Sequence, residues 1–429
     1  MRPTVQRVLQ HPVYARALEW GRLITITGSA QIVVQAIGFA CGILVIRILP
    51  TQEYALYTLA NTMLGTMVLL ADGGISTGVM AQGGKVWQSR EGLGRVIVTG
   101  LDLRRKFAIG SLLVATPVLF VLLRHHGASW VMSILLVLAT IPTFLTSLSN
   151  TLLEIAPKLQ QDITPLQKNQ VGVNIARLAL LLLTMFVFPW AFVAVLAGGL
   201  PQIWGNLRLH KISAGYADLK QQPDPTIRTE ILKVVKRVLP GAVYYSASGQ
   251  ITVWLISIFG TTASIAQAGA LSRLSVMLGL FTMLLSTLVL PRFARLEAGW
   301  KMLLTRYAQI QIGLVLISLC IIGTVWLFPT QVLWVLGKKY SDLNTELLLS
   351  VAASCLSLIT GISFSLVSSR GWATNPIITI TIEVAAVIIG ILMLDVSTLK
   401  GVLIFNIFIA TVQALLYIIY GTLKIVRSK

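Results

Sequence analysis

This chain of 429 residues is 55% hydrophobic and only 11% charged, yet it carries a formal net charge of +19. A mean hydropathy of +0.82 excludes an ordinary soluble domain. Apolar stretches of roughly 20 residues, enough to cross about 30 Å of hydrocarbon as a helix, recur throughout the chain. Most basic residues fall in short loops beside them, where cations attract anionic lipid headgroups, so the charge indicates membrane lipids rather than a nucleic-acid partner.

Twelve apolar segments are predicted to span the membrane as α-helices. Their ranges are 24–46, 54–77, 107–123, 130–152, 171–188, 190–207, 240–260, 268–290, 308–328, 347–369, 376–394 and 401–423. The chain has 34 Lys and Arg residues, and those in loops on the side opposite the termini are only Arg47, Arg124, Lys338, Lys339 and Lys400. Because Lys and Arg in short loops stay in the cytoplasm, we expect both termini to be cytoplasmic.

The longest polar interval divides the spans into six and six. We therefore predict an N-terminal segment at 1–23, a six-helix bundle at 24–207, a cytoplasmic linker at 208–239, a second six-helix bundle at 240–423 and a tail at 424–429. Pro223 and Pro225 should break any helix across the linker. Between the second and third spans, Ser89 to Lys106 has helical apolar spacing, which predicts an amphipathic helix along the membrane surface.

The sequence contains no pattern typical of an enzyme. His11, His125, His126 and His210 have no His or Cys partner at metal-ligand spacing, and no glycine-rich phosphate-binding loop is present. Cys41, Cys320 and Cys355 all fall within spans, so no disulfide framework is expected. We predict a protein with no catalytic residues, metal or cofactor, driven by an ion gradient or by its substrate.

Four ionisable residues fall inside the spans, where each costs roughly 2.5–3.5 kcal/mol at a helix centre. These are Asp72, Arg177, Arg273 and Glu383. Asp72 lies near a span end beside two glycines, where it could cap a helix instead of serving transport. Arg177 and Arg273 could extend to the membrane surface. Glu383 lies nearest the middle of its span and is a candidate for binding a coupling ion.

Polar stripes mark three further spans. The first span carries Gln31, Gln35, Gly38 and Gly42 on one face, the seventh carries Tyr244, Tyr245, Ser246, Ser248, Gln250 and Thr252, and the last carries Asn406 and Gln413. Such stripes face protein or water rather than lipid. Hydrogen bonds between helices explain any one of them, whereas together they fit a polar cavity between the halves.

Three segments resemble a known family. Arg47-Ile48-Leu49-Pro50-Thr51-Gln52-Glu53-Tyr54 with the later Asp72-Gly73-Gly74, then Ala270-Leu271-Ser272-Arg273-Leu274 with Leu290-Pro291-Arg292-Phe293, and finally Leu336-Gly337-Lys338-Lys339-Tyr340 stand in this order. Together they resemble the polysaccharide flippases of the multidrug, oligosaccharidyl-lipid and polysaccharide exporter superfamily. The sequence departs from that pattern at Ala55, where the family usually has glycine. The uncharged Phe39 to Gly42 stretch argues against lipid II as cargo.

The resemblance implies an all-α membrane protein of about twelve helices, in two six-helix bundles around a central cavity. It also implies that the protein flips an undecaprenyl-diphosphate-linked oligosaccharide across the bacterial cytoplasmic membrane. Arg273 and Arg177 would hold the diphosphate, and Gln31, Gln35, Tyr244 and Gln250 would contact sugar. Glu383 and Asp72 are the candidates for coupling to a proton or sodium ion. A polysaccharide polymerase and chain-length machinery would be the protein partners.

The sequence leaves three alternatives to the flippase function open. A cation-coupled multidrug exporter of the same superfamily has the same architecture, although the first span here lacks a carboxylate. A membrane glycan polymerase or ligase would be an enzyme, but such enzymes usually carry a large external loop, and Pro329 to Glu346 is short. A scaffold or assembly protein is the third.

Overall fold

The computed structural model describes residues 12–296, 299–370, 372 and 376–427. Outside this part lie residues 1–11 and 428–429, which belong to the predicted N-terminal segment and tail. The structure describes the backbone but not the side chains of residues 12–27, 242, 245–247, 280, 283, 286–288 and 291. The side chains of Tyr245, Ser246 and Pro291, which the sequence singles out, are among those outside the described part. The described chain is helical, with no strand in these ranges.

The first half contains eight helices. They are α1 (Pro12–Ile48), α2 (Thr51–Asp72), α3 (Ile75–Val86), α4 (Arg90–His125), α5 (Trp130–Leu153), α6 (Ile155–Leu159), α7 (Thr164–Met185) and α8 (Ala191–Tyr216). The second half contains nine helices within its described residues. They are α9 (Pro225–Phe259), α10 (Thr262–Ser275), α11 (Leu278–Leu288), α12 (Leu290–Ala294), α13 (Trp300–Leu327), α14 (Pro329–Leu336), α15 (Asn344–Ser369), α16 (Pro376–Met393) and α17 (Leu399–Arg427).

All twelve predicted spans fall on helices, so the prediction of an all-α polytopic membrane protein is confirmed. Eight described helices are long and apolar enough to cross a membrane by length and composition: α1, α2, α4, α5, α13, α15, α16 and α17. The other four predicted spans lie on α7, α8, α9 and α10 with α11. The predicted eighth span, 268–290, is interrupted at Val276 and Met277.

Two ends of the bundle can be distinguished. We call the end with the α1–α2 turn and the 3₁₀ turn at Lys338–Tyr340 the turn side, and the opposite end the termini side. Exposed Trp130, Trp190, Trp326 and Trp334 lie near the turn-side ends of their helices. Tryptophan favours the boundary between hydrocarbon and headgroups, so these rings indicate where the membrane ends on the turn side.

The second predicted span ends at a sharp bend. Gly73 and Gly74 have φ values of 48° and 93°, and the Gly73 amide donates to Leu69 O at 3.0 Å to close α2. A Cβ on Gly74 would lie 2.9 Å from Val238 of α9, so backbone conformation and packing both require glycine. Asp72, the last residue of α2, contacts the first turn of α3, because its Oδ1 accepts from the backbone N–H and the hydroxyl of Ser76, at 3.2 and 2.5 Å.

A buried ion pair fixes this bend. Arg104 Nη2 lies 3.1 Å from Asp72 Oδ1, and the side chains are 2% and 26% exposed. Arg104 also donates to the Thr151 hydroxyl of α5. The bend therefore connects α2, α4 and α5 at the termini side, and Asp72 has the local role that its sequence position allowed.

The predicted amphipathic surface helix is absent as a separate element. Residues 90–106 are instead the first part of α4, which continues into the third span. Leu93, Val96 and Ile97 are buried in a cluster with Ile155 and Ile231, so the apolar face packs on protein rather than on lipid. The spacing that indicated an amphipathic helix was correct, but spacing alone does not identify what covers the apolar face.

The interval predicted as a linker, 208–239, is also largely helical. Helix α8 continues to Tyr216 and α9 begins at Pro225, which leaves eight residues, 217–224, between them. Asp224 caps α9 by accepting from Thr226 N at 2.7 Å and Ile227 N at 3.3 Å. The termini-side part of α9 packs on α3, α2 and α4 and so connects the second half to the first.

The Asp72–Arg104 pair provides a test of stability. Asp72→Asn leaves the buried Arg104 without its counter-charge and should lower the free energy of unfolding by about 2–3 kcal/mol, because an unpaired buried charge is costly. Asp102→Asn removes the exposed pair with Lys106, which is worth less than about 1 kcal/mol. Thermal unfolding in detergent measures both. Equal midpoints would show that the buried pair contributes no more than a surface one.

Orientation is tested by single cysteines in a background without the three native ones. Lys220 and Ser341 are exposed in loops on the termini side and the turn side. Because of the Lys and Arg asymmetry, we expect an impermeant maleimide added to intact cells to label Ser341→Cys but not Lys220→Cys. Labelling of both positions from the same side would contradict the predicted topology.

Candidate substrate cavity

A cavity of about 790 Å³ lies between the two halves. Its first-half wall comes from α2, with Tyr54, Thr58, Asn61 and Thr62. The remaining wall comes from α9, α10, α15, α16 and α17 of the second half. Most of the lining is therefore contributed by the second half, while α1 and α7 supply none of its lining residues.

Arg273 lies in the wall of this cavity, near the turn side. Its side chain crosses Gly42 of α1, where a Cβ would come within 3.2 Å of Arg273 Cδ. The guanidinium lies beside the phenols of Tyr54 and Tyr57 and within hydrogen-bonding reach of Tyr54. No ion pair in the described part of the chain includes Arg273. An arginine thus faces the cavity without a carboxylate counter-ion.

Glu383 lines the same cavity on α16 and is 1% exposed. Tyr417 of α17 donates to its Oε1 at 3.5 Å, and Tyr244 and Gln413 lie within hydrogen-bonding reach. Like Arg273, Glu383 belongs to no ion pair among the residues that the structure describes. These two side chains are the charged groups among the lining residues, and they lie on different helices.

The rest of the polar lining consists of hydroxyls and carboxamides. Gln250, predicted to contact sugar, lines the cavity, and Thr252 donates to Asn406 Oδ1 at 3.1 Å. Ser275 and Ser354 form a hydrogen bond of 2.7 Å between α10 and α15. Such groups offer both donors and acceptors to a ligand rich in hydroxyls.

Several candidate residues lie away from this lining. Gln31 donates to Gln170 of α7 at 3.2 Å, and Gln35 is exposed. Arg177 packs over Gly198 of α8, where a Cβ would lie 3.7 Å from its Nε, and that buried Nε has no hydrogen-bond partner among the described residues. Tyr244 lies beside Glu383, whereas Asp72 belongs to the termini-side bend.

The polar face of α15 was missed in the sequence. Ser350, Ser354, Ser357, Gly361 and Phe364 all line the cavity. They stand at i, i+4, i+7, i+11 and i+14, so helical spacing would have predicted this face if small hydroxyl residues had been counted as a stripe. The hydroxyls of Ser354 and Ser357 also bond to backbone carbonyls one turn earlier, which lets them sit in a membrane helix at little cost.

No group of three or more His, Cys, Asp or Glu residues that could hold a metal ion occurs among the residues searched. Outside the spans, burial lowers the pKa of His126, whose ring is held between the two halves. Among the residues that line the cavity, only Arg273 and Glu383 are charged.

No family model matches this sequence, and no curated protein matches it. Solved structures do resemble the fold. An inward-facing multidrug resistance MATE family transporter of the MOP superfamily has a TM-score of 0.70 at 17% identity, covering 92% of this chain and 95% of that chain. An outward-facing structure of such a transporter has a TM-score of 0.60 at 18% identity, covering 95% of both chains.

A third similar structure is described by its binding pocket. It is a MOP superfamily transporter from Pyrococcus furiosus, whose reversed binding-pocket polarity is said to suggest a different function. The TM-score is 0.57 at 16% identity, covering 94% of this chain and 95% of that chain. At these identities the likeness establishes the two-bundle fold around a central cavity and leaves the cargo to be argued from the cavity itself.

Proposed function

We propose that this protein is an alternating-access transporter, not an enzyme, which flips undecaprenyl-diphosphate-linked oligosaccharide across the bacterial cytoplasmic membrane. The product would supply surface polysaccharide such as O-antigen, capsule or exopolysaccharide. Moving a diphosphate and a glycan through hydrocarbon is prohibitive without a polar path. A hydrated cavity between two bundles provides that path, while the polyprenyl tail stays in lipid.

The observation that carries this proposal is the unpaired cation in the cavity wall. Arg273 is held against Gly42 and the two tyrosines, with no carboxylate to neutralise it among the described residues. A guanidinium binds phosphate oxygens in a two-pronged geometry, by charge-assisted hydrogen bonds. The hydroxyls and amides around it, including Gln250, would contact sugar. Arg177 could contribute only if the first half rearranged.

A cation-coupled multidrug exporter is the second candidate, and the comparisons support it better than the flippase. The first two structures above are named as multidrug resistance transporters. Glu383 would then attract a cationic drug. The cavity itself favours the flippase, because its wall carries one cation, twelve hydroxyl side chains and four carboxamides beside this single carboxylate.

Transport against a gradient requires a ligand that binds the two states of the protein differently. A proton or sodium ion on Glu383 would meet that requirement, because this carboxyl is buried with neutral hydrogen-bond partners. A polysaccharide polymerase and chain-length machinery would receive the flipped product.

The flippase proposal is tested in cells that lack this protein. They should accumulate lipid-linked oligosaccharide while still making it, with little change in drug resistance. Arg273→Ala should restore less than about a tenth of surface polysaccharide, and Arg273→Lys an intermediate amount, because Lys keeps the charge but loses the fork.

The matched control is Arg306→Ala, which removes an exposed arginine at the termini-side end of α13. It should restore polysaccharide fully at equal protein levels. Full restoration by Arg273→Ala would remove this residue from the site. Hypersensitivity to cationic drugs, without accumulation of the lipid intermediate, would favour the exporter instead.

Coupling is tested with Glu383→Gln, which keeps the shape of the side chain but cannot bind or release a proton. If Glu383 carries the coupling ion, transport into proteoliposomes should lose its dependence on an imposed ion gradient while substrate binding remains. The Glu383→Gln protein is compared with wild type at several pH values and sodium concentrations. An unchanged gradient dependence would make Glu383 a structural residue.

A further inference from the structure

Two of the three segments that resemble the flippase family meet across the halves on the turn side. Arg47, at the end of α1, donates from Nη2 to Trp334 O at 2.7 Å and from Nε to Val335 O at 3.0 Å. Its guanidinium also lies over the Trp334 ring, 4.9 Å from the centroid. Lys339 returns the contact, because its Nζ donates to Leu49 O at 2.7 Å.

These hydrogen bonds are reciprocal helix caps. Trp334 and Val335 lie in the last turn of α14, and Leu49 directly follows α1. The last carbonyls of a helix have no partner within the helix and carry partial negative charge, so they favour a cation. Each half therefore supplies the cation that caps a helix of the other half. Gly337, with φ of 102°, turns the chain between α14 and Lys339.

A third contact joins the two halves on the turn side. His126, at the end of α4, lies 2.9 Å from Ser257 O through Nε2 and 3.2 Å from the Thr262 hydroxyl through Nδ1. Ser257 and Thr262 flank the turn between α9 and α10 in the second half. Close packing lies just below, since a Cβ on Gly269 of α10 would come within 2.5 Å of the Thr58 hydroxyl of α2.

The termini side differs. The substantial contacts between the halves pair α9 with α2, α3 and α4, α10 with α1 and α2, and α14 with α1. The termini-side ends of α13, α15, α16 and α17 take no part in these pairings. Apart from α9, then, the described halves are held together at the turn side.

We propose that Arg47 and Lys339 form a latch that stabilises the state closed on the turn side, and that both caps break when the cavity opens on that side. This role goes beyond the proposed function and holds whatever the cargo is. Loss of the caps costs the closed state its charge-assisted hydrogen bonds, while the open state, in which the same groups face water, is unaffected. Removing a donor should therefore shift the equilibrium toward the open state.

The test measures distances between spin labels in purified protein in nanodiscs. One pair, at Val187 and Ser397, reports on the turn side, and a second pair, at Lys168 and Val426, reports on the termini side; all four positions are exposed. Arg47→Met and Lys339→Met keep much of the side-chain length but remove the donors. Each should raise the ratio of turn-side-open to turn-side-closed molecules about tenfold, as expected for a charge-assisted hydrogen bond.

The matched controls remove the same charges nearby. Lys338 is exposed beside Lys339, and no hydrogen bond from its side chain to the first half is found in the described chain. Arg124 Nη1 donates to Ala128 O within its own half, and its guanidinium lies over the Trp130 ring. Lys338→Met and Arg124→Met should leave both distance distributions unchanged. Arg47→Lys, which keeps the charge but not the two-pronged contact, should give an intermediate shift and guards against misfolding of Arg47→Met.

The latch predicts opposite changes at the two ends: longer distances for the turn-side pair and shorter ones for the termini-side pair. Unchanged distances in Arg47→Met and Lys339→Met would overturn the proposal. Equal shifts in the Lys338→Met and Arg124→Met controls would overturn it as well, because the effect would then come from net charge rather than from the caps.

Discussion

Hydrocarbon offers no hydrogen bonds, so every polar group within the spans must find a partner in the protein or face water. This constraint accounts for much of the first half. Asn150 donates to Gln202, Asn206 donates to Asn150, and Gln31 of α1 reaches Gln170 of α7. These amides connect α5 with α8 and α1 with α7. The Asp72–Arg104 pair satisfies the same requirement for charge at the termini-side bend.

The second half satisfies the constraint differently, because many of its polar side chains face a cavity. Arg273 and Glu383 lie in the wall with hydroxyl and amide neighbours and without ion-pair partners in the described chain. Charge left unneutralised inside a membrane protein is costly and typically serves a ligand or an ion. Arg177 of the first half also has no ion-pair partner among the described residues, but it packs over Gly198, outside the lining of the cavity. The meeting of charged and polar side chains in one cavity is the basis for proposing transport through it.

Most of the fold could be predicted from the sequence, because the length of each hydrophobic segment is a strong local signal. The twelve spans fall on helices, and Arg273, Gln250, Glu383, Asn406 and Gln413 do come together in one cavity. What covers an apolar face could not be predicted: residues 90–106 pack on protein, not lipid. The ion pair between Arg104 and Asp72 could not be predicted either, because only the fold brings the two residues together. The partners of Arg47 and Lys339 lie almost 300 residues away in the chain, beyond any periodicity.

The central claim is that the spans enclose a water-filled cavity between the halves. Ser357 lies near the middle of α15, lines that cavity and is exposed, whereas Ile388 lies within α16, is 54% exposed and is not part of the lining. The most direct measurement is the rate at which a small water-soluble maleimide modifies Ser357→Cys and Ile388→Cys in a background without native cysteines. The account predicts rapid modification of Ser357→Cys, close to that of a loop cysteine, and very slow modification of Ile388→Cys. Equally slow modification of both would contradict it, because Ser357 would then face hydrocarbon or packed protein.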